Sequence, residues 1–167
     1  MNLLTSLVLR TRRNHALEHA TIHLLSAALP GKPLAGRSTP FGFYLYGDVT
    51  QESLTAAAYD ALNRLRRGES RLAIHPGCGT NYLTSGTFAG LAAFTALSIG
   101  DQKNRLSRLP DVLVAATLAL MAAQPVGPLL QEKVTTLAEM GDLSITGVRK
   151  LSRGGGLPVH YVETHSS

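Results

Sequence analysis

The chain has 167 residues, a formal net charge of +5 and a single cysteine. This length suits one domain of ordinary size, and the lone cysteine excludes an internal disulfide. The basic residues lie in small scattered clusters without a nucleic-acid-binding motif, so we expect no nucleic-acid partner. Because tryptophan is absent, leucine and alanine must supply most of the 44% apolar content, and this composition predicts a mainly helical fold.

The first elements are a helix and a strand pair. Residues 5–29 predict a long helix that ends at Pro30 and Gly31. Basic residues follow the apolar run at 3–9 rather than precede it, so no cleaved leader is expected. Residues 41–49 are aromatic and predict a strand, paired with the shorter segment 33–39.

A second helix is predicted after either of two capping residues, Asp48 or Thr50, and it ends near Gly68. Its apolar positions repeat at helical spacing: Leu54, Ala58, Leu62 and Leu65. Residues 71–74 predict a short strand, which leads into a loop at 75–80.

Two uncharged stretches follow, at 81–100 and 112–130, separated by a polar link at 101–111. Each has about the 20 residues that a helix needs to cross a bilayer. They predict a two-helix transmembrane hairpin whose partner is the lipid bilayer; the alternative is a pair of apolar helices buried in a soluble protein. Under the first interpretation the protein is a multi-pass protein of the cell membrane. Flanking basic residues then place its folded region in the cytoplasm.

After the hairpin, residues 133–140 predict a continued helix and residues 158–164 a last strand. The expected fold class is therefore α+β and mainly helical, with a short β-sheet and the transmembrane hairpin. Residues 1–80 form a metal-binding α+β region, 81–130 form the hairpin, and 131–167 return to the first region.

The chemistry begins with a His-x-x-Glu-His motif on the first helix. His15 and His19 are four residues apart, so they project one turn apart from the same helix face. Two imidazoles suit zinc, and the neighbouring Glu18 can act as general base toward a metal-bound water. This order of residues is the inverted zincin pattern. A polar helix surface is the alternative interpretation when the motif stands alone.

A second motif supplies two more candidate ligands. His75 and Cys78 are three residues apart on a Pro-Gly turn, a spacing that places two ligands on one side of a tight turn. Cys78 also precedes a helix, where the dipole favours a thiolate. The alternative is a buried cysteine beside a chance histidine. His23 continues the helix stripe as a spare ligand or, in preference, as a residue that orients a ligand or lies at an interface. No role is assigned to His160 or His165 near the C-terminus.

Together the two motifs, His15 to Ile22 and His75 to Asn81, resemble a family of membrane proteins described as YqhQ-like predicted metal-dependent enzymes. The resemblance covers about half of the chain and implies a metal site of His and Cys ligands in a membrane protein. It brings no known substrate. Leu17 and Gly77 depart from the family pattern, and the chain is shorter, so the resemblance implies a small relative.

Three functions remain open on the sequence. In the first, zinc or another divalent transition ion keeps one position open to water, and the protein hydrolyses an amide or ester bond near the membrane surface. In the second, His15, His19, His75 and Cys78 close a structural site in a membrane scaffold or partner-binding protein. The third is a soluble helical binding domain without a metal.

Overall fold

The computed structural model describes residues 3–99, 106–151 and 157–166. Two compact units emerge, one formed by Met1–His75 with Glu132–Ser167 and the other by Pro76–Gln131. We call them the histidine unit and the helical unit. Helices predominate beside one small sheet, so the predicted α+β, mainly helical class is confirmed.

The histidine unit is built on α1, Leu3–Ala28. This helix confirms the prediction for 5–29, and its middle turns are buried while its ends are more exposed. Pro30 cannot continue the helical hydrogen bonds, and Gly31 adopts a φ of 83°, a left-handed conformation that glycine tolerates best. The chain therefore turns sharply here toward the sheet.

Four antiparallel strands form that sheet in the order β1-β2-β4-β3. Their bounds are β1 Ala35–Thr39, β2 Gly42–Tyr46, β3 Ser144–Lys150 and β4 Val159–His165. The predicted pairing of the first two strands and the predicted last strand are both confirmed. The sequence did not predict β3, because its apolar residues do not alternate regularly and its register shifts between Ile145 and Gly147.

The second helix, α2, spans Gln51–Arg66 and packs on α1. Thr50 is its N-cap, and the Thr50 side chain accepts a hydrogen bond from the Ser53 amide at 3.1 Å. The core lies between the helices and the sheet, where Phe43, Leu45 and Val162 meet Leu17 and Leu54. These five side chains are fully buried.

Two predicted elements of the histidine unit are wrong. Residues 71–74 are not a strand: Ser70–Ala73 form a 3₁₀ helix that contacts α1. Nor do residues 133–140 form a helix throughout, because a π-helical turn at Gln131–Thr135 gives way to non-helical chain. There the Arg12 side chain donates to the Thr136 carbonyl, and the Leu137 amide donates to the Arg12 carbonyl. Contacts with α1 therefore replace helical hydrogen bonds.

The helical unit contains α3 Gly79–Ser98, α4 Leu109–Ala123 and α5 Val126–Leu130. Within it α3 packs along α4. Among the described residues, one helical stretch, Leu106–Ala123, is long and apolar enough to cross a membrane, with a mean hydropathy of 1.5. The prediction of two such helices is not supported, because the many Gly, Ser and Thr residues of α3 lower its hydropathy. Most of the predicted polar link, 100–105, lies outside the described residues.

Candidate metal centre

The two histidines of the His-x-x-Glu-His motif lie side by side on α1. Their ring centroids are 4.3 Å apart, with an angle of 61° between the ring planes. His19 is 2% exposed, and His15 is partly buried. The motif therefore does not form a solvated helix surface.

Each of these rings is held by a main-chain carbonyl group of a distant segment. The Nδ1 atom of His15 lies 3.0 Å from the Thr135 oxygen, and that of His19 lies 2.7 Å from the Ala73 oxygen. A carbonyl oxygen only accepts hydrogen bonds, so Nδ1 must carry the proton in both rings. In the neutral rings the lone pair then lies on Nε2, which is the usual arrangement of metal-binding histidines.

His75 joins the same cluster from the end of the 3₁₀ segment. Its ring centroid is 5.7 Å from that of His19 and 4.6 Å from that of His23. Burial, followed by the neighbouring His23 and His19, lowers the pKa of His75 to about 4. His75 is therefore neutral at physiological pH, as a metal ligand must be.

His23 extends the cluster by one further turn of α1. Its Nε2 atom donates to the Ile74 carbonyl oxygen at 2.8 Å. This hydrogen bond fixes the residue that precedes His75, so His23 positions the third imidazole. The interpretation of His23 as a residue that orients a ligand stays a prediction.

Glu18 is 4% exposed and lies where α1 meets β1. The Ser38 hydroxyl group donates a hydrogen bond to its carboxylate. A Cβ atom added at Gly36 would collide with the same carboxylate, so the absence of a side chain at Gly36 makes room for it. The strand pair therefore sets the position of the proposed general base.

Cys78 belongs to the helical unit, where it is the N-cap of α3 and is 6% exposed. The loop that carries it is fixed from within that unit. Asn81 donates to the Pro76 carbonyl at 2.9 Å, and Gln131 donates to the Asn81 side chain at 2.7 Å. The pairing of Cys78 with His75 in one site stays a prediction from their spacing.

Comparison with known proteins supplies a family. The profile of a family described as "Domain of unknown function (DUF6391)" matches residues 10–148. The chain belongs to this family. An uncharacterised protein of Picosynechococcus sp. (strain ATCC 27264 / PCC 7002 / PR-6) is 36% identical over 161 residues, which cover 90% of this chain and 77% of that protein. No solved structure matches the chain.

The DUF6391 match spans both predicted motifs, and a relationship to the YqhQ-like proteins is not shown by it. The sequence of this DUF6391 protein did not reveal which carbonyl groups bind the imidazole rings of α1. They belong to Ala73, Ile74 and Thr135. Every residue has a carbonyl group, so no residue type marks them. Only the path of the chain around α1 identifies them.

Proposed function

We propose that this protein is a membrane-anchored zinc protein whose ion is bound by His15, His19 and either Cys78 or His75, which leaves one position open to water. The observation that carries the proposal is the pair of Nδ1-to-carbonyl hydrogen bonds that orient His15 and His19. A histidine that only fills space in the core does not require a second histidine beside it whose Nδ1 atom also donates to a carbonyl group. Zinc is preferred over other divalent ions because the proposed donors are imidazoles and a thiolate.

The reaction that best fits these residues is hydrolysis of an ester or amide bond. Zinc would lower the pKa of a bound water and polarise the substrate carbonyl group. Glu18 lies three residues after His15, a spacing at which two side chains are neighbours on a helix surface. It would take a proton from the water as the oxygen adds to the carbonyl carbon. As the carbon–oxygen or carbon–nitrogen bond breaks, the same proton would pass to the departing alkoxide or amine.

A closed structural site is the second candidate. It is supported by the surroundings of Glu18, which is buried and accepts a hydrogen bond from Ser38. A carboxylate in this position can serve simply to hold α1 against β1. In that case all four ligands bind the ion, and no position is left for water. The protein would then act as a membrane scaffold or partner-binding protein.

For the membrane anchor, we propose that α3 and α4 insert together into the cell membrane. Large apolar side chains are exposed on both helices: Tyr82, Leu83, Leu91, Phe94, Leu113, Val114, Leu118 and Met121. Exposed apolar surface of this extent favours a lipid environment. Because segments before and after the helical unit fold together in the histidine unit, one crossing by α4 requires a return crossing, and α3 has the necessary 20 residues. The histidine unit would face the cytoplasm.

Elemental analysis of the full-length protein, purified in detergent, tests the metal proposal. We expect about one zinc per chain in the wild type and a loss of most of it in His15→Ala and His19→Ala, because each variant removes one ligand of a site that needs three or four. His165→Ala is the matched control, since His165 is exposed on β4. A wild-type protein that binds no transition metal, even after zinc is added, would contradict the proposal.

A further inference from the structure

His160 is a buried histidine outside the metal cluster. It lies on β4 opposite Leu45 and Lys150, and its side chain is 0% exposed. Neither ring nitrogen has a hydrogen-bond partner among the described residues. An imidazole ring carries at least one N–H donor, and leaving it unmatched in the interior costs free energy. The ring therefore lacks a partner in the part of the chain that the structure describes, and a bound ligand could supply one.

His160 is one of the residues that line a cavity of about 430 Å³. Leu29 and Val49 give it apolar wall, and the first turn of α2 contributes Gln51 and Glu52. The first amide groups of an α-helix have no partner within the helix. Thr50 satisfies the amide of Ser53, whereas the amides of Gln51 and Glu52 donate to no other group among the described residues. The positive end of the helix dipole adds to their attraction for an anion.

Two lysines also line the cavity. The Lys32 ammonium group donates to the Asp48 carboxylate at 2.8 Å and to the Asp48 carbonyl oxygen at 2.9 Å. Lys150 has no ion-pair partner within the part of the chain that the structure describes. Lys150 lies opposite His160 in the register of β3 and β4, and both residues line the cavity. Asp48 and Glu52 supply opposing negative charge.

We propose that this cavity binds a small molecule bearing a phosphate group. The phosphate oxygens would accept hydrogen bonds from the α2 amides and from Lys150, and His160 would donate its ring N–H to the same ligand. Helix amides, an ammonium group and an imidazole can all donate hydrogen bonds to phosphate oxygens. The volume leaves room beside the phosphate for an organic part against Leu29 and Val49.

The Asp48 carboxylate competes with such a ligand for the lysine side chains of the cavity. It holds Lys32, and both Lys32 and Lys150 lower the pKa of this group, so it is ionised at neutral pH. An incoming phosphate must share these cations with it. Removal of the Asp48 charge should therefore strengthen binding, whereas removal of the Lys150 charge should weaken it.

Titration of the full-length protein in maltoside micelles with inorganic phosphate tests the proposal. The readout is the ¹⁵N shift of the His160 ring, assigned by its loss in His160→Gln. We expect saturable shifts in the wild type, binding at least about tenfold weaker in Lys150→Met, and about three- to tenfold tighter in Asp48→Asn, as charge-assisted hydrogen bonds are lost or released. Arg67→Met is the control, because Arg67 follows the opposite end of α2.

Three results would overturn the proposal: no saturable shift of the His160 ring in the wild type at millimolar phosphate, equal weakening in Arg67→Met and Lys150→Met, or equal shifts with chloride at the same ionic strength. Because the cavity contains none of the proposed zinc ligands, the zinc content of Lys150→Met should equal that of the wild type.

Discussion

The Nδ1 atom of His19 lies 2.7 Å from the carbonyl oxygen of Ala73, although 54 positions separate the two residues in the sequence. The hydrogen bond joins the first helix to the 3₁₀ segment that ends just before His75. It therefore aligns one proposed ligand and, through the short chain that follows Ala73, helps to place another. The hydrogen bond from His23 to Ile74 reinforces this connection.

Replacement of Glu18 by Gln separates catalysis from structure. The amide keeps the size of the side chain but cannot take a proton, so we expect unchanged zinc content and a fall in hydrolysis of about 10²- to 10⁴-fold. Hydrolysis is measured on p-nitrophenyl esters and aminoacyl p-nitroanilides. Glu163→Gln is the control, because Glu163 is exposed on β4. Unchanged turnover in Glu18→Gln, or a wild type without turnover on either class, would favour the closed structural site.

Replacement of Cys78 by Ser tests the thiolate ligand. In protein loaded with Co²⁺, a bound thiolate gives a sulfur-to-metal charge-transfer absorption band in the near ultraviolet. We expect this band in the wild type and in His165→Ala, and its loss in Cys78→Ser, because a serine hydroxyl group is a poor ligand for such ions. If the wild-type protein binds Co²⁺ without the band, Cys78 is not a ligand and the site consists of histidines.

Acid should act on the metal-free protein through His75. The pKa of His75 is lowered from 6.5 to about 4, so the unfolded chain takes up the proton at a higher pH than the folded one. The free energy of unfolding is therefore unaffected by this group above pH 6.5 and decreases as the pH falls from 6.5 toward 4. Urea unfolding at several pH values measures the slope, and His75→Gln should reduce it. An NMR titration of His75 with a midpoint near 6.5 would contradict the prediction.

Replacement of Gly36 by Ala should destabilise the histidine unit. The new Cβ atom collides with the Glu18 carboxylate, which Ser38 and the sheet hold in place. We expect a loss of about 1–3 kcal/mol in the free energy of unfolding, typical of overpacking at a buried contact. Thermal unfolding measures it. Gly86→Ala is the control, since a Cβ atom there meets nothing within 4 Å, and a similar loss in both variants would contradict the explanation.

The membrane anchor is tested by alkaline carbonate extraction of cell membranes. The wild type should remain in the membrane fraction. Leu118→Arg should be extracted, because an arginine at the centre of a spanning helix costs about 2.5–3.5 kcal/mol. Leu118 is 61% exposed, so the change does not disturb packing within the helical unit. Leu151→Arg, outside the helices, is the control and should stay bound; extraction of the wild type would refute the anchor.

The parts of the fold that the sequence predicted are those with a local signal. The first helix has a Pro-Gly stop, and α2 has both a Thr50 cap and a regular apolar repeat. By contrast, residues 71–74 and 136–140 take their conformation from contacts with α1, which no local pattern encodes. Strand β3 has no regular alternation of apolar residues. Its conformation is set by pairing with β4, which no local pattern encodes either.

In the candidate site, too, the sequence predicted the features with a local signal and missed those that depend on contacts between distant segments. The spacing of His15 and His19 predicted that their rings share one helix face, and the structure brings His75 to that face. The depth of Glu18 against β1 was not predictable, because it depends on a bare glycine at position 36. The sequence assigned no role to His160 because of its place near the C-terminus, but the structure buries it on β4, between β2 and β3.

The position of β4 between β2 and β3 has a consequence for biosynthesis. The ribosome releases β2 and then the apolar helices well before it releases β4, the strand to which β2 pairs. Until β4 leaves the ribosome, one edge of β2 is open and the sheet of the histidine unit is incomplete. The proposed insertion of α3 and α4 would therefore precede completion of the sheet, and a nascent chain arrested before Val159 should be readily cleaved by proteases.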